Sequence, residues 1–147
     1  MEVRVSQRSA HTADEAGAGQ QDFVEVRLPA AGAYLSVLRT ATAGLAARLD
    51  FTLDEIEDLR IAVDEACAML LGQAVPGSVL SCVFHLVGDA LQITVSAPTT
   101  DGHTPARDTF AWTVLSALAG EVDATVDENS VVSISLHKKR GGGPGAP

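Results

Sequence analysis

Residues 52–71 constrain the fold more than any other stretch, because they predict one amphipathic helix of about five turns. Thr52 is a favourable N-cap, and Glu55 three residues later completes the capping-box pattern. Apolar residues recur at helical spacing and predict a stripe that faces a core: Ile56, Leu59, Val63, Ala66, Cys67 and Leu70. The opposite face carries Asp54, Asp58, Ile61, Glu65 and Met69. We therefore expect the function to depend on that second face.

Length and charge limit the class of protein. A chain of 147 residues with 46% hydrophobic residues can form one domain with its own aliphatic core. Its net charge of −9 argues against direct binding of nucleic acid, which requires a cationic surface. No apolar run is long enough to cross a membrane, and the N-terminus lacks the pattern of a secretory signal. The sequence therefore predicts a cytoplasmic protein without membrane association. Cys67 and Cys82 are expected to be reduced, buried thiols.

The rest of the chain predicts alternating strands and helices. The predicted elements other than the helix at 52–71 are a strand at 23–28, a helix at 32–49, a hairpin with strands at 78–86 and 90–96, a helix at 109–119, and strands at 122–126 and 131–138. The segments at 1–21 and 139–147 are rich in small and polar residues or in glycine and proline, and are expected to be disordered tails.

This order of elements indicates an α+β fold in two layers, with a mixed or antiparallel sheet and three helices on one face. The first helix has a predicted buried stripe of Leu35, Leu38, Thr42, Leu45 and Leu49. Small residues flank this stripe, and they would let another backbone approach closely, in this subunit or in a second one.

Common catalytic motifs are lacking in this sequence: it has no phosphate-binding glycine loop and no zinc-protease helix. The four histidines are scattered over predicted tails, a strand and a loop, without a partner that suggests catalysis. Asp64 and Glu65 are adjacent, and adjacent helical residues do not face each other. On spacing alone, this pair is more often a solvated helix face than a site.

The run at 59–69, Leu-Arg-Ile-Ala-Val-Asp-Glu-Ala-Cys-Ala-Met, resembles the nucleotide-site helix of the anti-sigma factor/serine-protein kinase family. That family belongs to the GHKL (Bergerat, histidine-kinase-like) group of ATPases and kinases. The resemblance covers about residues 23–138 and implies a GHKL-like domain at 22–138. It also implies that Glu65 stands at the position of the general base. Met69 stands where active members have the asparagine that holds Mg²⁺, and a thioether is a poor ligand for this hard cation.

Two further nucleotide motifs of the family are altered here. At the place of the Asp-x-Gly motif that reads adenine, the chain has Ala97-Pro98-Thr99, and Asp101-Gly102 is a shifted substitute. At the place of the glycine pair that opens the last helix, it has Thr109-Phe110-Ala111. Side chains would then occupy space that phosphates need. The resemblance therefore implies a degenerate pocket with a vestigial Glu65. We assign no metal and no firm cofactor, and we expect only weak binding of ATP, ADP or another nucleotide.

The resemblance implies an anti-sigma factor that sequesters a sigma factor of the stress or sporulation type without kinase activity. The implied sigma-binding surface lies on the first helix, at Leu35, Leu38, Arg39 and Thr42. An anti-anti-sigma (STAS) protein and a second copy of the chain are the other implied partners. Two alternatives stay open: an active ATP-dependent serine kinase that phosphorylates a STAS partner, and a non-catalytic regulatory module controlled by another small ligand.

Overall fold

The computed structural model describes residues 1–7 and 21–141 of the chain. Its strands are β1 (Glu2–Gln7), β2 (Gln21–Pro29), β3 (Val79–Val87), β4 (Ala90–Pro98), β5 (Glu121–Val126) and β6 (Val131–Lys139). Its helices are α1 (Leu35–Arg48), α2 (Leu53–Leu71) and α3 (Phe110–Ala119), with a short 3-10 turn before α1. The strands pair in the order β1-β2-β3-β4-β6-β5, and every neighbouring pair is antiparallel. The prediction of an α+β fold with a mixed or antiparallel sheet and three helices is confirmed, and the sheet is antiparallel.

The sheet has one apolar and one polar face, as period-two alternation requires. On the covered face, β3, β4 and β6 contribute fully buried side chains such as Phe84, Ile93 and Ile134. On the other face, hydroxyl pairs join neighbouring strands, with Ser96 and Ser133 Oγ atoms 2.8 Å apart. The helices therefore pack on only one side of the sheet.

The central helix α2 lies between α1 and α3, and its buried face forms the middle of the core. Its buried residues are Leu59, Ala62, Val63, Ala66, Cys67 and Leu70, which include all but Ile56 of the predicted stripe; Ile56 is partly buried. The predicted capping box is present: Thr52 Oγ1 accepts from Glu55 N at 3.1 Å, and Thr52 N donates to Glu55 Oε1 at 2.8 Å.

A tight reversal at Asp50 joins α1 to α2. Asp50 has a left-handed φ of 61°, while Phe51 N donates to Ala46 O and Asp50 N donates to Ala47 O. This is the Schellman pattern, with aspartate at the position that glycine usually takes. Phe51 is buried, with 6% of its surface exposed. The reversal turns α2 back along α1 and makes them antiparallel neighbours.

The structure corrects part of each predicted tail. Glu2–Gln7 is not a tail but strand β1, which pairs with β2 from Glu2 opposite Arg27 to Gln7 opposite Asp22. Residues 8–20 lie outside the described residues. At the other end, Lys139 belongs to β6, and Arg140 N donates to Asp89 O at 2.8 Å. Residues 142–147 also lie outside the described part.

None of the helices in the described ranges is long and apolar enough to cross a membrane.

Candidate functional site

The C-terminal end of α2 is joined to the loop that follows β4. Val75 N donates to Pro98 O at 2.9 Å, Thr100 N donates to Gln73 O at 3.0 Å, and Ala74 forms an isolated bridge with Thr99. The Gln73 side chain donates to His103 O at 2.9 Å. The loop then leads into α3, so the end of α2 and the loop share one end of the helix layer.

Thr99 holds this loop against the turn between β5 and β6. Its side chain is buried, and its hydroxyl donates to Ser130 O at 2.7 Å while accepting from Gly102 N at 2.9 Å. Its own backbone N–H also donates to Ser130 O, at 3.0 Å. Thr99 stands at the third position of the altered Asp-x-Gly motif, and here it fixes the loop through hydrogen bonds within the protein.

The two site residues on α2 have different surroundings. Glu65 is partly exposed, one turn before Met69 on the same face. Met69 is partly buried and packs against the hydrophobic core. A thioether held in apolar contacts offers no hard oxygen to a divalent cation, so this position does not fit Mg²⁺.

The substituted adenine motif also does not fit a nucleotide. Ala97 is buried at the end of β4 with 1% of its surface exposed, and it supplies no carboxylate. Asp101 is exposed. Gly102 has a φ of +67°, and a Cβ atom there would lie 2.8 Å from Ser130 Oγ. Gly102 is therefore fixed by its backbone conformation and its contact with Ser130.

At the start of α3, a side chain occupies the place where an anion would bind. A helix N-terminus offers free N–H groups to an anion. Here Thr109 is the N-cap, and its Oγ1 accepts from Trp112 N at 3.2 Å and donates to Ala106 O at 3.1 Å. Phe110 is 83% exposed, and Ala111 is partly buried. This arrangement is a capped structural helix end, and it does not fit a phosphate cradle.

The four predicted sigma-binding residues of α1 do not share a surface. Leu38 and Thr42 are in the core, with 1% and 0% of their surface exposed. Their assignment to a binding surface is therefore wrong; the helical periodicity had indicated burial for both. Thr42 satisfies its hydroxyl within the helix by donating to Leu38 O at 2.7 Å. Leu35 and Arg39 are partly exposed.

Arg39 joins α1 to the helix that carries Glu65. Its Nε lies 3.1 Å from Asp64 Oδ1, and both side chains are about two-fifths exposed. The two atoms are shielded from solvent, and their geometry suits an ion pair better than a hydrogen bond. Asp64 thus faces α1, and this role was not predicted. The adjacent acidic residues and the separate arginine were visible, but their contact depends on the packing of the helices.

A second unpredicted cluster closes the loop before α3. Arg107 lies over the Trp112 ring at 4.9 Å and donates to Asp123 Oδ1 at 2.7 Å. The hydrogen bond from Arg107 is the main cause that lowers the pKa of Asp123. The cluster fixes the entry to α3 on strand β5. We found no sequence signal for it, because its members are joined only by the fold.

Both cysteines are free and buried, as predicted. Burial raises the pKa of the Cys67 thiol to about 12, with a further contribution from the charge of Asp64. Burial also raises the pKa of Cys82 well above its ordinary value. Neither thiol is a nucleophile at neutral pH, because the reactive species is the thiolate.

Comparison with known proteins agrees with this architecture. A solved structure that holds the RsbU and RsbW domains of a Mycobacterium tuberculosis protein aligns with 80% of this chain and 32% of its own, with a TM-score of 0.61 and 16% sequence identity. This likeness shows that the chain has the fold of that structure, in agreement with the predicted GHKL-like fold. No protein-family profile matches the sequence.

Curated sequences give the family. The anti-sigma-F factor RsbW of Mycobacterium tuberculosis is 32% identical over 123 residues, which cover 80% of this chain and 73% of that protein. The serine-protein kinases RsbW of Halalkalibacterium halodurans and Bacillus cereus are each 37% identical, over 78 and 75 residues. The chain spans about half the length of these two kinases, 48% and 47%. The chain belongs to the RsbW family of anti-sigma factors and serine-protein kinases, which confirms the resemblance seen in its sequence.

Proposed function

We propose that this chain is an anti-sigma factor that binds and sequesters a sigma factor of the stress or sporulation type. The observation that carries the proposal is the similarity to the anti-sigma-F factor RsbW, which extends over 80% of the chain. The chain acts in the cytoplasm, where sigma factors meet RNA polymerase. Its net charge of −9 suits a partner with basic, promoter-contacting surfaces.

Sequestration does not require phosphotransfer, and the pocket favours binding alone. Phosphoryl transfer depends on a divalent cation that neutralises charge on the phosphates. In this chain the position of the metal ligand is Met69, which packs against the core, and the start of α3 is capped by Thr109. These features support stoichiometric binding without kinase activity. Bound nucleotide, if present, would contact the partly exposed Glu65 and the exposed Asp101.

The surface proposed for the sigma factor is the partly exposed part of α1 around Leu35 and Arg39. Arg39 is fixed by its ion pair with Asp64 at 3.1 Å, so its guanidinium is held before a partner arrives. A positioned side chain loses less conformational entropy on binding than a free one. We also propose that the chain forms a homodimer, and that a STAS-type anti-anti-sigma protein releases the sigma factor.

The test is capture of partners from a native lysate with tagged protein, with and without Mg-ATP, followed by mass spectrometry. We expect the same sigma factor in equal amounts in both conditions. Capture of a sigma factor only in one condition would contradict nucleotide-independent binding. Recovery of no sigma factor in either condition would overturn the anti-sigma function and leave the fold assignment intact. Arg39→Glu is the matched variant, since it changes the proposed contact outside the core.

A second candidate is an active serine-protein kinase, because relatives of that name match half of the chain and because Glu65 is partly exposed at the position of the general base. Incubation with labelled ATP, Mg²⁺ and a STAS protein tests it. We expect no transfer above background from the wild type, and none from Met69→Asn, since the adenine motif and the start of α3 remain altered. Transfer that Glu65→Gln abolishes would establish the kinase instead.

A third candidate, a non-catalytic module that responds to another small ligand, has the polar loop 97–107 in its favour. In this loop Gly102 N donates to Thr99 Oγ1, and the Gln73 side chain donates to His103 O. A ligand that competes for these hydrogen bonds would change the position of the loop. A shift in melting temperature with a metabolite but not with ATP would favour this candidate.

A further inference from the structure

Strand β1 lies at one edge of the sheet. It is the first strand in the sheet order, and within residues 1–7 and 21–141 nothing pairs with its outer edge. The N–H and C=O groups on such an edge can pair with another strand. The opposite edge strand, β5, is partly fixed by the contact of Arg107 with Asp123 and Ala124. The two edges are therefore not equivalent.

One face of β1 is apolar and exposed. Val3 and Val5 stand opposite Val26 and Val24 of β2, so they point to the side of the sheet that the helices cover. They nevertheless remain 57% and 68% exposed, and Met1 is 74% exposed. Leu45 and Arg48 of α1 line a small cavity beside Val5, and the exposed parts of Met1, Val3 and Val5 form an apolar stripe along the edge strand. Stripes of this kind mark sites of association.

The other face of β1 carries complementary charges. Glu2 stands opposite Arg27, and Arg4 stands opposite Glu25 with Arg4 Nη1 3.7 Å from Glu25 Oε1. Along β1 the negative charge of Glu2 comes first and the positive charge of Arg4 second, with Val3 between them. An identical strand that runs in the opposite direction presents these charges in the reverse order.

We propose that β1 pairs with β1 of a second copy, antiparallel and in the register that places Val3 opposite the partner's Val3. This inference rests on the homodimer proposed above and names its surface. Glu2 then faces the partner's Arg4, and Arg4 faces the partner's Glu2. The charges across the joined sheets alternate, from Arg27 through Glu2 to the partner's Arg4 and the partner's Glu25. On the other face, Met1 meets the partner's Val5.

Other registers lose this complementarity. A shift by one residue in each strand places Arg4 opposite the partner's Arg4, or Glu2 opposite the partner's Glu2, and like charges directly opposite are unfavourable. A shift that places Val5 opposite the partner's Val5 pairs Arg4 with Ser6. Only the Val3-centred register sets both charges of β1 against opposite charges. The paired strands are short, so we expect a weak dimer whose population depends on concentration.

A charge-exchange experiment tests the proposal. In the Glu2→Arg variant, residues 2 and 4 are both arginine, so each would face an arginine of the partner strand. In the Arg4→Glu variant, residues 2 and 4 are both glutamate, so each would face a glutamate. We expect each variant alone to dimerise about tenfold more weakly than the wild type in sedimentation experiments. An equimolar mixture restores both opposite-charge pairs, so we expect heterodimers of about wild-type affinity. Circular dichroism of each variant confirms that it is folded.

Single cysteines test the register. Val3→Cys is expected to form a disulfide-linked dimer under mild oxidation, because only residue 3 faces its own copy. Arg4→Cys and Val5→Cys, which report the two shifted registers, are expected to cross-link at least tenfold more slowly. The native Cys67 and Cys82 do not interfere, because both are buried.

The outcomes separate this inference from the homodimer itself. If neither charge variant weakened the dimer and mixing them did not strengthen it, pairing at β1 would be overturned. The dimer would then form through another surface, such as the small residues that flank the buried stripe of α1. A monomer at every concentration would overturn both. Fast cross-linking through Arg4→Cys or Val5→Cys would contradict the register.

Discussion

The two ends of α2 differ in how they are held. The N-terminal end is closed by its own capping box and by the end of β6: Gly141 N donates to Glu55 Oε2 at 2.9 Å, and Lys138 Nζ lies 4.0 Å from Asp58 Oδ2. The C-terminal end, which carries Glu65 and Met69, is held by a loop whose partners come from distant parts of the chain. Both ends therefore have partners that are distant in sequence, and the N-terminal end has a local capping box in addition.

This difference bears on the predicted nucleotide pocket. The loop residues at the C-terminal end bond to the protein itself, through Thr99 and Gln73, at the place where the sequence resemblance predicts a nucleotide pocket. The N-terminal end has a purely structural arrangement. We therefore expect substitutions at the two ends to separate stability from function.

The largest effect is expected from Gly102→Ala at the loop. Its left-handed φ of +67° is unfavourable for a residue with a Cβ atom, and that atom would lie 2.8 Å from Ser130 Oγ. The change should lower the free energy of unfolding by roughly 2–3 kcal/mol. Chemical denaturation measures it.

Gly44→Ala is the matched control. Gly44 is exposed inside α1, and a Cβ atom there would meet nothing within 4 Å. The same substitution should therefore stabilise the protein, by about 1 kcal/mol. If Gly102→Ala left the stability unchanged or raised it as Gly44→Ala does, the loop would not be held by the left-handed conformation of Gly102.

A smaller effect is expected from Arg39→Ala, which tests the link between α1 and the Glu65 half of α2. The ion pair with Asp64 is two-fifths exposed, so its coupling energy should be no more than about 1 kcal/mol. Sigma-factor binding should fall about tenfold, because arginine is often an important interface residue. Isothermal titration and a double-mutant cycle with Asp64→Ala measure the two effects.

The single variant Asp64→Ala separates the role of the ion pair from the role of the Arg39 guanidinium itself. It frees Arg39 from its position but leaves the guanidinium on the surface, so binding should weaken less than with Arg39→Ala. Equal losses for both variants would mean that Asp64 itself contacts the partner, or that α1 has moved.

The capping box at the other end of α2 is expected to contribute about as much to stability, without an effect on binding. Thr52→Ala removes the acceptor for Glu55 N and should cost about 1 kcal/mol in the free energy of unfolding. Thr40→Ala, at an exposed position inside α1, should be neutral or slightly stabilising, because alanine is the better helix former. A loss of sigma binding in Thr52→Ala would contradict the separation of the two ends.

The features predicted from sequence are those that local rules determine. The capping box, the stripe of α2 and the alternation of β3 and β4 follow from spacing along one element, and all are present. Strand β1 was missed because its six residues contain only two valines, Val3 and Val5, and its partner in the sheet lies beyond a polar segment. Its pairing is a property of the sheet.

The site was predicted less completely for the same reason. Glu65 and Met69 could be identified from their positions on one helix. The Gln73–His103 hydrogen bond could not, because it joins residues that are 30 apart in the sequence. The left-handed backbone conformation of Asp50 is also not indicated by the sequence, because aspartate seldom takes the position of glycine. Leu38 and Thr42 show the opposite error: their periodicity predicts burial, which the structure shows, whereas the resemblance places them on a binding surface.

The smallest effect is expected from acid, and it tests the closed end of α2. Partial burial of Glu55 acts to raise its pKa. Hydrogen bonds with the backbone of Thr52 and Gly141 and with the Thr52 side chain, together with the charge of Lys138, outweigh burial and lower the pKa below its ordinary value of 4.5. A carboxyl with a lowered pKa in the folded state stabilises the protein above the unfolded pKa, and this contribution is lost as the pH falls through the folded pKa. The free energy of unfolding of the wild type should therefore fall more steeply below pH 4.5 than that of Glu55→Gln. Asp123→Asn is the comparison variant: it removes another carboxyl whose pKa is lowered, mainly by the hydrogen bond from Arg107, so it should also flatten the acid slope while the N-terminal end of α2 stays intact. Parallel acid slopes for the wild type and Glu55→Gln would show that the capping box and the contact with Gly141 are not maintained in solution, and the N-terminal end of α2 would then be no more closed than the end that carries the site.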